Sequence, residues 1–224
     1  TGAALEVDAI LQQYKQEEIK TGLLKTEQIG SYLYINFFPV NDGNFVPSWN
    51  QSRQQIARLL LKNQPALLQM PLPDASGNST PPIIFHILSE MEVRNDAQDQ
   101  PQLSQLREIA RFLKDNGATM DVLVAPSGNS VATGLVYDGN LYVLREAIEL
   151  GLIDPVAPHQ AAFPSGRVFN VTLTAYAAFA AIFPPTGREA LRSKYLEILR
   201  LLVKHGGLSE FTLNSDFAKA FGVP

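Results

Sequence analysis

The stretch LREIARFLKDNGATMD, residues 106–121, decides the fold. Read as a helix, it places Leu106, Ile109, Phe112 and Leu113 on one continuous apolar stripe, with charged residues opposite. Gly117 then closes it, because a residue without a Cβ takes the left-handed conformation that ends helices at little cost. The reading predicts an amphipathic helix stopped by Asn116-Gly117.

The same grammar returns three times. RSKYLEILRLLVKHGG at 192–207 repeats it closely, with Ile198, Leu202 and Gly206 where Ile109, Leu113 and Gly117 stood. NLYVLREAIELGLIDP at 140–155 repeats it with Gly151 as the stop, and SRQQIARLLLKNQPAL at 52–67 ends on Gln64-Pro65. Each of these helices follows an apolar segment short enough to be a buried partner helix: Ser31–Phe38, Pro82–Met91, Ser130–Tyr137 and Thr172–Phe183. Between the pairs lie stretches rich in Pro, Gly, Ser and Asn, at Gln69–Pro81, Val124–Asn129 and Ile153–Gly166, which read as loops. Glu92–Gln102 and Pro184–Glu189 read as insertions within pairs.

The stops fall at positions 64, 117, 151 and 206. The step from 117 to 151 is close to the roughly 33 residues of an ankyrin unit, and the other two steps exceed it by about 20. Asp74-Ala75-Ser76-Gly77 followed by Thr80-Pro81 resembles the opening turn of an ankyrin repeat. Phe112-Leu113-Lys114-Asp115-Asn116-Gly117-Ala118 resembles its closing helix end. The opening motif is absent near Asn129 and Asn170. The chain therefore resembles the ankyrin-repeat family over roughly residues 26 to 224, in a divergent form with insertions.

The resemblance implies an all-α fold, an α-solenoid of stacked helix-turn-helix repeats with long loop insertions, as one domain over residues 1–224. Its expected parts are an N-terminal capping helix at 1–25 built on Leu5–Lys20, repeats at 26–68, 74–121, 126–156 and 168–207, and a C-terminal half-repeat at 208–224. One helix pair cannot bury both apolar faces, so neighbours stack and share a core.

Composition narrows the chemistry. The 224 residues carry 18 Lys and Arg against 22 Asp and Glu, a net charge of -4 that offers no basic field for a phosphate backbone. With no cysteine there is no disulfide, Cys-ligated zinc site or thiol nucleophile. No apolar run approaches the roughly 20 residues that span a bilayer. The first residue is Thr1 rather than Met, which predicts that preceding residues were removed, a signal peptide being one candidate. A cytoplasmic and an exported bacterial protein both fit.

Catalytic and metal signatures are missing from the pattern. His86, His159 and His205 have no partner at a metal-ligand spacing. His86 reads as a core or turn-facing residue, and His205 as a favourable cation at a helix C-terminus. Glu90 with Glu92, or Asp96 with Asp99, reads as solvated acid rather than an acid–base pair, because no apolar wall adjoins them. No cofactor is expected. Asn50, Asn78 and Asn170 each open an Asn-x-Ser/Thr triplet, a glycan acceptor in a eukaryotic secretory protein, but chance explains them because Asn, Ser and Thr crowd into loops.

What remains is recognition. The resemblance implies a non-enzymatic adaptor that binds another protein through a concave face and loop inserts, such as a bacterial inhibitor, immunity or effector protein. The alternative is a ligand-binding protein or enzyme with a pocket between the inserts and that face. The inserts carry Phe45, Trp49, His159, Phe163, Arg167 and Phe169, and aromatic residues and Arg dominate binding hot spots. Trp49, His159, Phe163 and Arg167 are the contact candidates. Trp49 and Phe169 also stand where a residue folds down to seal the following helix.

Overall fold

In a computed structural model the described residues are 33, 36–37, 40–41, 44–45, 47–63, 65–69, 71–73, 79–120, 129–162 and 167–207. The expected cap at 1–25, the half-repeat at 208–224 and Phe163 lie outside them. The chain is mostly helical, with seven α-helices among the described residues. It is not all-α, because three two-stranded antiparallel hairpins accompany the helices. It divides into two compact units, Thr1–Ala118 and Thr119–Pro224.

In the first unit, hairpin β1 (Val40–Asn41) and β2 (Asn44–Phe45) precedes α1 (Gln51–Asn63), and a 3-10 turn follows at Pro65–Leu68. Hairpin β3 (Pro71–Pro73) and β4 (Ser79–Pro82) then runs directly into α2 (Ile83–Asp96), which packs on α3 (Gln100–Asp115). Leu106, Ile109 and Leu113 are fully buried and Phe112 nearly so, the face the periodicity predicts. The expected insertion at 92–102 is instead largely helix, since α2 extends to Asp96 and α3 begins at Gln100. Asp99 makes this tight join workable: its carboxylate accepts from the Gln102 N–H and caps α3.

In the second unit, α4 (Val131–Tyr137) and α5 (Leu141–Glu149) form one pair. Hairpin β5 (Pro158–Ala162) and β6 (Val168–Thr172) leads without a break into the next, α6 (Leu173–Ile182) and α7 (Arg192–Lys204). The stretch 153–166, expected as a loop, thus contains a strand. First helix packs on first helix, α4 on α6, and second on second, α5 on α7. Apolar residues on nearly every side of α6 explain this, because Leu173, Tyr176, Ala177, Phe179 and Ala180 each need a neighbour. Gly117, Gly151 and Gly206 end their helices at φ of +100°, +70° and +88°, the left-handed region assigned to them by sequence.

Candidate interaction surface

The hairpin β5–β6 has one buried and one exposed face. Its register sets His159 opposite Val171 and Ala161 opposite Phe169 on one face. On that face His159 is 2% exposed, Ala161 and Val171 are buried, and Phe169 is half-buried. The other face presents the pairs Pro158–Thr172, Gln160–Asn170 and Ala162–Val168. Pro158, Gln160, Val168 and Asn170 are exposed there; Arg167, one residue before β6, is also exposed. This two-residue alternation is ordinary strand geometry, one side down and one side out.

Three hydrogen bonds fasten β5 to the start of α4, and a fourth caps that helix. The Ser130 N–H donates to the Gln160 carbonyl at 2.8 Å, and the Thr133 hydroxyl donates to the same oxygen at 2.6 Å. Asn129 Oδ1 accepts from the Ala162 N–H at 2.7 Å, while Ser130 Oγ accepts from the Thr133 N–H and caps α4. At the other end Thr172 caps α6 by accepting from the Ala175 N–H. The preceding turn is pinned from inside, because His159 Nε2 lies 2.9 Å from the Asp154 carbonyl. A carbonyl only accepts, so Nε2 carries the proton, and Nδ1 is left buried without a partner.

The four residues expected as contacts fall in different places. Arg167 is exposed, one residue before β6. His159 is not on the surface but a buried fastener of its hairpin, because strand alternation turns it inward. Trp49 is half-buried and far from free. Its ring lies 5.5 Å from that of Phe37 and 4.9 Å from that of Phe112, and its backbone N–H donates to Gln105 Oε1 at 3.0 Å. Trp49 therefore seals the first unit. Phe163 lies outside the described residues, and Phe45 is described in backbone only.

Sequence reasoning did not place Gln160, Val168 and Asn170 on an exposed strand face. The alternation Val168-Phe169-Asn170-Val171-Thr172 was the available signal, since β-branched and aromatic residues at every second position mark a strand. Of the acids considered for catalysis, Glu90 pairs with Arg94 at 3.3 Å one helical turn away, and Asp99 is the cap already described. Among the described residues no group of three or more His, Asp or Glu could hold a metal ion. No described helix is long and apolar enough to cross a membrane.

Comparison with known proteins matched no family model, no curated protein and no solved structure. What the fold shows is a mostly helical chain in which two helix pairs are entered straight from an antiparallel hairpin.

Proposed function

We propose that the chain is a non-enzymatic, ankyrin-like recognition module that binds a protein partner along the outward face of β5–β6. The carrying observation is the contrast between the two faces of that hairpin. One is buried and tied by hydrogen bonds to α4, and the other leaves Gln160, Val168 and Asn170 in solvent. A rigid edge with exposed side chains loses little conformational freedom on binding, which favours affinity.

The like-on-like packing of α4 with α6 and α5 with α7 supports an α-solenoid arrangement of repeats. Such arrays present their turns and first helices to macromolecules, which agrees with an adaptor, inhibitor, immunity or effector role. The net charge of -4 argues against nucleic acid as the partner.

Affinity capture from lysate of the source organism tests the proposal, with wild type beside an Arg167→Ala/Val168→Asp variant. Both residues are exposed, so the variant is expected to fold like wild type by circular dichroism. One stoichiometric protein held by wild type and released by the variant supports the reading. A partner retained equally by both would move the surface elsewhere on the molecule.

A further inference from the structure

The two edges of the hairpin β5–β6 differ. On the β5 side the Gln160 carbonyl accepts from the Ser130 N–H and the Thr133 hydroxyl, and the Ala162 N–H donates to Asn129 Oδ1. These groups point away from β6, so Gln160–Asn170 and Ala162–Val168 are the non-hydrogen-bonded pairs of the ladder. It follows that the backbone N–H and carbonyl of Val168 and Asn170, and the N–H of Thr172, point away from β5. Among the described residues no hydrogen bond engages them, and β6 has no second neighbouring strand. The β5 edge is closed and the β6 edge is open.

An open edge is a template for another strand, and folded chains blunt such edges with proline, charge or a bulge. Hairpin β3–β4 carries Pro71, Pro73, Pro81 and Pro82 and an irregular register. Strand β6 has no proline, no charged residue and no bulge. Its outward-pointing backbone groups are also symmetric about Asn170. A second copy turned by half a rotation sets Asn170 opposite Asn170 and Val168 opposite Thr172. Each Asn170 N–H then donates to the other copy's Asn170 carbonyl, and each Thr172 N–H to the other copy's Val168 carbonyl. The same register brings Phe169 beside Val171 on the inner face, an aromatic and β-branched pair of the kind that stabilises sheets. We infer that β6 pairs antiparallel with β6 of a second copy of this chain, centred on Asn170, joining two hairpins into one sheet. The symmetry is isologous, so the pairing closes at a dimer. The outward faces stay in solvent and lie side by side, which offers a partner two adjacent recognition faces. The inference goes beyond the recognition-module reading and is measured without any other protein.

So short an edge buries less than the about 1,200 Å² of a standard interface, and the dimer is accordingly weak. Sedimentation equilibrium of the whole chain from about 10 µM to about 500 µM covers the affinity expected of it. The samples are wild type, Asn170→Lys, Asn170→Asp and an equimolar mixture of the two variants. Position 170 faces itself across the pairing, so like charges there oppose it and unlike charges favour it. Asn170 is exposed, and both variants are expected to keep the fold. The expected result is a wild type that passes from monomer to dimer across the range. Each variant alone associates at least about tenfold more weakly, and the mixture recovers the dimer. Recovery on mixing is a result that misfolded chains do not give. A wild type that stays monomeric throughout overturns the inference. So does a dimer that persists in both variants, which places the contact elsewhere, and so does a mixture that remains monomeric.

Discussion

Gly207 shows how a single missing side chain can shape the chain. A Cβ built there would collide with the Thr174 hydroxyl and lie 2.8 Å from the Leu202 carbonyl oxygen, so α7 can close beneath α6 only with glycine at this position. We predict that Gly207→Ala destabilises the second unit by about 1–3 kcal/mol, the cost of overpacking a tight site. Adding Thr174→Ala should recover part of that loss and no more, because the backbone clash with Leu202 remains; chemical denaturation of the single and double variants measures it. Leu113, fully buried, belongs to the same scale. Truncation to alanine is expected to cost about 2–5 kcal/mol, and an unchanged melting curve would contradict its place in the core. Both residues were open to sequence reasoning to different degrees. The stripe containing Leu113 declared itself by period, whereas the need for glycine at 207 depends on Thr174, a residue on the helix α7 packs against.

Among the elements, the segment between α6 and α7 does more than connect them. Arg188 reaches Asp138 at 3.0 Å and lies 5.0 Å over the Tyr137 ring, while the Tyr195 hydroxyl donates to the Tyr137 carbonyl at 2.9 Å. The stretch expected as an insertion at 184–189 thus clasps the preceding helix pair. Its ion pair is well exposed, so Arg188→Ala should cost about 0.5 kcal/mol or less. Tyr195→Phe, which leaves a carbonyl without its donor, should cost about 1 kcal/mol. Burial, with lesser contributions from Tyr137, Tyr195 and Asp138, holds the Tyr176 hydroxyl well above the usual tyrosine range. Burial also raises Tyr195, against the opposing charge of Arg188. An unfolded tyrosine loses its proton near pH 10, so above that point the unfolded state binds fewer protons than the folded one and stability falls as pH rises. Below about pH 10 the two states match and these groups impose no slope. Urea midpoints from pH 8 to 11.5 should decline only at the alkaline end, and less steeply in Tyr176→Phe. Strand β5 illustrates what the sequence conceals at this scale. Pro158, Gln160 and two alanines have little strand preference, and the segment extends because Ser130 and Asn129 bond to it from another element.

For the molecule as a whole, helix positions and helix ends were the legible part. Period and glycine stops located α3, α5 and α7, and apolar runs located α2, α4 and α6. The candidate surface was half legible: Arg167 stood out as a cation in a loop-like insert, yet its neighbours on the hairpin did not. Whether a strand residue faces inward or outward is set by what lies beneath it, so His159 and Gln160, adjacent in sequence, part ways only in three dimensions. The central claim is that recognition belongs to the outward face of β5–β6. It is tested most directly by placing a photo-crosslinking amino acid at position 168 and, as a control, at position 203, where Val203 is similarly exposed on α7. After irradiation in cells of the source organism, the account predicts one discrete protein adduct from position 168 and none from position 203. No adduct at 168, or the same adduct from both positions, would contradict it.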